Sequence, residues 1–307
     1  MKQVTLGKSG LQVSALALGC AKMGMIEVDA AAKQIAAALE QGITYFDNAD
    51  IYSDGRGSAE RVFGAAWKQL GIDRSTILVQ SKCGILPGSM YDCSKEHILA
   101  SVDASLQRLQ MDYLDTLVLH RPDALMEPEE VAEAFDELER SGKVRFFGVS
   151  NMRPMQIELL KKCVRQPLVV DQLQFSAAHS GMVRGGMEVN MLTDGAADRD
   201  GSVLDYCRLK EITVQAWSPL KRAGHGPFLQ DPEMAPLQQA LAEVGQNYGI
   251  TPAAAAVAWL LRHPANAQVL VGTMNPEHLA QLCKAADVRL TRQEWYRIYL
   301  AAGNILP

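Results

Sequence analysis

Asp47, Tyr52, Lys82 and His120 are side chains that trade protons and charge. They follow apolar runs at 43–46, 77–80 and 114–119 that read as β-strands. A carboxylate, a phenol, an ammonium and an imidazole at successive strand ends predict proton chemistry at one mouth of a barrel. Carbonyl reduction would use all four. Hydride attacks the carbonyl carbon while an acid protonates the developing alkoxide. Tyrosine can be that acid, but its ordinary pKa of about 10 makes it reluctant. A nearby ammonium favours the phenolate and is expected to lower that pKa. Lys82 is the candidate ammonium, and Asp47 its counter-ion, because an unpaired buried charge is costly. His120 can donate a hydrogen bond to the carbonyl oxygen and orient it. Taken singly, each has an ordinary reading: a turn aspartate, a half-buried aromatic, a solvated strand end, a core histidine. Their order at successive strand ends is what argues for a site.

The elements that must position them alternate between short apolar runs and longer helical periods, the pattern of βα units and a parallel sheet. Strands are expected at 15–19, 43–46, 76–81, 113–119, 144–149, 168–173, 213–217 and 268–271. Eight is the count of a closed (β/α)₈ barrel, a TIM barrel. The segment 4–13 reads instead as an N-terminal β-hairpin with a Gly/Ser turn. Among the helices, Asp29 is the expected N-cap of an Ala-rich stretch ending at Glu40, with Gly42 in the C′ position. Ser94 opens another helix, Pro128 fits an N1 position, and Thr251-Pro252 starts a third. No repeat, low-complexity tract or linker divides the chain, so a single domain over 1–307 is expected.

The bulk properties agree with an α/β enzyme. Apolar residues are 48% and charged residues 21% of 307, with a formal charge of −5. That balance gives no reason to expect a nucleic-acid or membrane partner. No apolar stretch has transmembrane length, and the N-terminus lacks a signal-peptide core. The six cysteines are scattered without metal-type spacing, so a reduced, cytoplasmic setting and no metal are expected. Oligomeric state is not legible. No GxGxxG opens a βαβ unit, so a Rossmann dinucleotide site is not supported.

The motifs around the four residues resemble those of the aldo-keto reductases over nearly the full length. They are Ile43 to Tyr52 with Glu60 following, Ser81-Lys82-Cys83-Gly84, Leu119-His120-Arg121-Pro122-Asp123, and Gly142-Lys143-Val144-Arg145 leading to Gly148-Val149-Ser150-Asn151. Within that family the chain resembles a bacterial YdhF-like oxidoreductase branch, also through Thr291-Arg292-Gln293-Glu294-Trp295. The resemblance implies that Tyr52 is the general acid, that Lys82 and Asp47 tune it, and that His120 orients the carbonyl of a small substrate. It implies that Ser150, Asn151 and Gln172 hold a nicotinamide carboxamide, that Trp217 stacks on the ring, and that Ser218 and Leu220 reach the pyrophosphate. Gly272, Thr273, Asn275 and His278 match the adenosine-phosphate region. Gly272 and His278 stand where many relatives carry the Lys or Arg that pairs with the 2′-phosphate. Thr273, Asn275 and the helix start beside Pro276 remain as donors, with charge from Lys221-Arg222. NADPH is therefore the expected cofactor, with use of NADH compatible.

Other features carry expectations of their own. The Gly- and Met-rich segment 179–202 reads as a long loop and a candidate substrate lid, with Met182, Met187 and Met191 as adaptable contacts. Met23, Ile85, Met90 and Tyr91 are further candidates for substrate contact. Cys83, beside Lys82, would be peroxide-sensitive if the ammonium lowered its thiol pKa; otherwise it and Cys20 are small buried apolar residues. Two functions compete with reduction. Lys82 could form a Schiff base in a barrel lyase or aldolase. A cofactor-bound regulatory subunit with slow turnover is the other, since potassium-channel β-subunits share the fold the resemblance implies.

Overall fold

Apolar strands that cannot face water on either side need helices outside and each other inside, and the chain supplies both in alternation. The computed structural model describes residues 1–306. Eight parallel strands close into a barrel in chain order: β1 (Leu16–Gly19), β2 (Tyr45–Asp47), β3 (Leu78–Cys83), β4 (Leu114–Leu119), β5 (Val144–Ser150), β6 (Leu168–Gln174), β7 (Thr213–Trp217) and β8 (Gln268–Val271). Around them run α1 (Val28–Glu40), α2 (Ser58–Leu70), α3 (Lys95–Leu109), α4 (Pro128–Arg140), α5 (Pro154–Leu160), α6 (Gly181–Met187), α7 (Val203–Lys210), α8 (Ala235–Tyr248), α9 (Pro252–Arg262), α10 (Pro276–Cys283) and α11 (Arg292–Ala301).

The expected barrel and hairpin are both present, with bounds shifted by one or two residues. The main shift moves β3 to end at Cys83, which puts Lys82 inside a strand and not past its end. The hairpin pairs Val4 with Val13 and closes the start of the barrel. Gly7 holds it there. Its N–H donates to Thr213 Oγ1 at 2.7 Å, and a Cβ on it would lie 2.4 Å from the Val169 carbonyl. Only glycine tolerates both that approach and a φ of +48°.

Capping follows the sequence in most places. Ser94 Oγ accepts from the His97 N–H, Thr251 Oγ1 from the Ala254 N–H, and Pro128 stands at the start of α4. Gly42 takes positive φ after α1 as expected. Asp29 does not cap α1: the helix starts at Val28 after Glu27, and Asp29 lies in the first turn, where its charge complements the helix dipole. The helical layer is fastened near the C-terminus by Trp259 and Trp295. Their rings stack at 4.8 Å, and each indole N–H donates to the other's carbonyl at 3.1 Å.

The segment 179–202 is not a bare loop. It contains α6 and a short 3₁₀ turn, Asp194–Ala196. The buried Glu188 carboxylate braces it by accepting from Arg184 and from the Thr193 hydroxyl. No helix among the described residues is long and apolar enough to cross a membrane.

Candidate active site

Inside the barrel the strands carry amides where a wholly apolar interior would be expected. Gln80, Gln172, Gln215 and Gln268 come from β3, β6, β7 and β8 and are fully or nearly fully buried. A buried amide must find partners, and these find one another. Gln80 and Gln172 each donate to Gln215 Oε1, Gln215 donates to Gln268 Oε1 at 2.9 Å, and Gln268 donates to the Ser14 carbonyl. The Tyr45 hydroxyl donates to Gln80 Oε1 at 2.8 Å. This network is the platform for Asp47. Its Oδ1 accepts from Lys82 Nζ at 2.6 Å, Gln80 Nε2 at 2.6 Å and Gln172 Nε2 at 3.0 Å. The signal for the platform was in the sequence as a glutamine in each of four otherwise largely apolar strands, and motif reasoning missed three of its members.

Lys82 is completely buried. Its Nζ donates to Asp47 Oδ1, to the Asn48 carbonyl at 2.8 Å and to the Tyr52 hydroxyl oxygen at 2.8 Å. Three acceptors use all three N–H bonds of an ammonium, which leaves no lone pair for a Schiff base. Burial lowers the lysine pKa, and the Asp47 carboxylate pulls it back. Tyr52 has its hydroxyl between Lys82 and Asp47 Oδ2, to which it donates at a loose 3.3 Å.

The expected lowering of the Tyr52 pKa does not occur. Burial pushes it well above its ordinary value, and the Asp47 carboxylate adds to the rise. The physical reason is that the phenol is buried beside a carboxylate as well as an ammonium, and desolvation is the largest contribution. The phenol therefore keeps its proton at neutral pH.

His120 follows β4 and meets Tyr52 edge-on, with ring centroids 5.9 Å apart. Burial, then the Lys82 and Arg121 charges, push its pKa down to about 3, so the ring is neutral. Its Nδ1 is buried without a partner. An unpartnered lone pair costs less than an unpartnered donor, which puts the proton on Nε2.

Asp47, Tyr52 and His120 share one cavity of about 520 Å³ with eight of the ten residues assigned to a cofactor: Ser150, Asn151, Gln172, Trp217, Ser218, Leu220, Gly272 and Thr273. Ser150 Oγ donates to the Gln172 carbonyl, Asn151 Nδ2 donates to Ser150 Oγ at 2.7 Å, and Trp217 Nε1 donates to Asn151 Oδ1 at 3.2 Å. Asn151 and Ser218 hold φ of +57° and +51° at the ends of β5 and β7. Such backbone strain collects at binding sites. A Cβ on Gly272 would meet only the Gly19 carbonyl, at 3.9 Å, and would narrow the cavity.

The other two assigned residues lie outside. Asn275 and His278 are exposed and do not line the cavity. Asn275 Oδ1 caps α10 by accepting from the Glu277 and His278 N–H groups, so those amides are not free for an anion. Arg222 is also engaged, by Asp231 and Glu233. The cations that do line the cavity are Lys22, Lys221 and Arg121, and neither lysine is ion-paired among the described residues. Sequence reasoning missed Lys22, which belongs to no motif. An aromatic wall, polar groups at strand ends and two free lysines fit a nicotinamide dinucleotide and its phosphates.

Three smaller expectations change. Met23 is buried in the core and cannot touch a substrate. Met182, Met187 and Met191 do not line the central cavity. Cys83 is buried, and burial pushes its thiol pKa well above the ordinary value with Asp50 adding to it, so the lysine does not activate it. Cys20 is raised in the same way. Behind Asn151 lies a buried carboxyl that no motif marked. Burial pushes Asp171 up to about 8, and neither of its carboxyl oxygens has a hydrogen-bond partner among the described residues. Its folded pKa exceeds its unfolded one, so the folded state holds the extra proton, and stability falls as pH rises towards 8. Asp171→Asn is expected to raise the Tm at pH 9, with the gain shrinking by pH 5; thermal melts at the two pH values check it.

The profile of the Aldo/keto reductase family matches residues 15–301. A 6-dehydroglucose reductase of Novosphingobium aromaticivorans is 35% identical over 98% of this chain and 96% of its own length. Oxidoreductase YdhF of Escherichia coli is 32% identical over 98% of both chains. The crystal structure of a thermostable aldo-keto reductase, Tm1743, solved with the inhibitor epalrestat, superposes with a TM-score of 0.79 at 26% identity, covering 98% of this chain and all of that one.

Proposed function

The chain belongs to the aldo/keto reductase family, and from that premise we propose that it reduces an aldehyde or ketone to the alcohol with NADPH, Tyr52 acting as the acid. The observation that carries this reading is the Tyr52 hydroxyl in the wall of the cavity with Lys82 Nζ 2.8 Å behind it. When bound, the dinucleotide supplies hydride to the carbonyl carbon. Trp217 would stack on its ring. Ser150, Asn151 and the free Oε1 of Gln172 would hold its carboxamide, and the backbone at Ser218 and Leu220, with Lys22 and Lys221, its phosphates. Gly272 and Thr273 would leave room for its adenosine end.

The proton steps belong to the protein. His120, neutral and donating from Nε2, polarises the carbonyl oxygen. Tyr52 passes its proton to the developing alkoxide. The phenolate left behind is stabilised by Lys82 Nζ, which is already pointed at it and needs no rearrangement. Asp47, fixed by three N–H donors, keeps Lys82 an ammonium. A phenol that holds its proton suits reduction, because the acid is loaded over the whole neutral range. The same feature argues that the reverse oxidation speeds up as pH rises.

Steady-state NADPH oxidation with an aldehyde and ketone panel tests the reading. Replacing both Lys22 and Lys221 by Ala is expected to raise the KM for NADPH about tenfold, the scale of losing charge-assisted phosphate contacts. Preference of the wild type for NADH would overturn the NADPH assignment, and no turnover of any carbonyl compound would overturn the reductase.

A further inference from the structure

A second cavity, of about 320 Å³, opens beside the first and shares Arg121, Asn151 and Trp217 with it. Its outer wall includes Arg153, at the start of α5, and His179, Arg199 and Asp200 from the segment 179–202. Three arginines and one aspartate, Asp200, line this space. Among the described residues none of the three is in an ion pair, whereas Arg74, Arg108 and Arg145 each hold a carboxylate elsewhere. Arg153 Nη2 donates to the Arg199 carbonyl at 2.9 Å, and Arg199 Nη1 donates to the Asp194 carbonyl at 3.1 Å. Those bonds to neutral acceptors fix both arms without cancelling their charge. Burial lowers the His179 pKa, against the pull of Asp200, so the ring adds no charge of its own to this wall at neutral pH.

Unpaired guanidinium groups converging on a concave surface are suited to bidentate recognition of carboxylate or phosphate. We propose that this side cavity is an oxyanion subsite: the carbonyl substrate carries a carboxylate or phosphate that Arg121, Arg153 and Arg199 hold while its carbonyl reaches Tyr52 and His120. The proposal rests on the carbonyl-reductase reading. Arg121 joins the two spaces, because it lines both and follows His120 directly. The segment 179–202 then sets selectivity through Arg199, with Met182 in the same lining.

Two pairs of probes test it: succinic semialdehyde against butanal, and glyceraldehyde 3-phosphate against glyceraldehyde. In at least one pair the charged member is expected to have a kcat/KM about tenfold or more higher, and the pair that shows it identifies the anion. In the double variant Arg153→Ala/Arg199→Ala the charged-to-neutral ratio should fall about tenfold. Both side chains are exposed, so the core is not at risk; Arg199→Gln alone repeats the measurement with a smaller change. No preference in either pair, or a ratio unchanged in the variants, overturns the subsite. If no carbonyl compound is turned over, the reductase reading falls by itself. Calorimetry with succinate then decides the subsite: saturable binding weakened in the double variant supports it, and absent or equal binding overturns it.

Discussion

Tyr52→Phe is expected to lower kcat about a thousandfold, within the range for loss of a positioned general acid. The substitution removes one oxygen and nothing else. Phenylalanine keeps the ring against His120 and leaves Trp217, Ser150 and Asn151 untouched, so NADPH affinity should stay within about twofold. The split is diagnostic. A proton delivered only in the transition state affects kcat and not ground-state binding. Fluorescence titration of NADPH with single-turnover reduction separates the two. A variant that keeps a tenth or more of wild-type kcat would show that another group, or water, is the acid. A variant that loses NADPH affinity in parallel would show that Tyr52 builds the cofactor cavity instead.

Lys82→Met has the second large effect and acts on two properties at once. Methionine fits the space but leaves the Asp47 carboxylate buried without its cation. Breaking a buried pair from one side costs about 3–5 kcal/mol. The Tm should drop by several degrees, and turnover should fall by at least about a hundredfold because the phenolate loses its stabilising neighbour. Adding Asp47→Asn removes the orphaned charge. The double variant Asp47→Asn/Lys82→Met is expected to regain most of the stability and none of the activity. Thermal melts and steady-state rates on the three proteins decide it. Recovery of activity in the double variant would mean that the pair serves folding alone.

The pH behaviour follows from the same balance. His120, held down to about 3, gives no inflection in the rate of reduction near its ordinary 6.5. Tyr52, held up, leaves the acid intact well past neutrality. Neither group should therefore put an inflection into the profile for reduction between about pH 5 and 8; the titrating group beside the site in that window is Asp50, which burial raises to about 7. An inflection near 6.5 that disappears in His120→Asn would show that the ring ionises during the reaction.

Much of this protein was legible along the chain. Strand and helix periods, a proline at a helix start and the caps at Ser94 and Thr251 are local signals, because they are satisfied within a few residues of where they are written. Eight apolar runs alternating with helices leave few ways to bury both faces, so the barrel followed. The four residues of the candidate site were legible for the same reason: position in or just after the last residues of a strand is a local property that the barrel converts into a shared mouth.

Tertiary structure decided what depends on sums over distant partners. Whether Tyr52 loses or keeps its proton turns on burial and the Asp47 carboxylate set against the Lys82 ammonium, and no run of sequence contains that sum. The glutamine platform joins β3, β6, β7 and β8, whose residues are far apart in the chain and adjacent only after closure. Asn275 and His278 match a motif by position, yet α10 takes Asn275 for its own cap and leaves His278 outside. Lys22, Arg153 and Arg199 belong to no motif, and they acquire meaning only as charges left unpaired around two adjoining cavities. Sequence determines which side chains are offered and on which element. Which charges remain uncompensated is settled by the packing of segments that the chain keeps far apart.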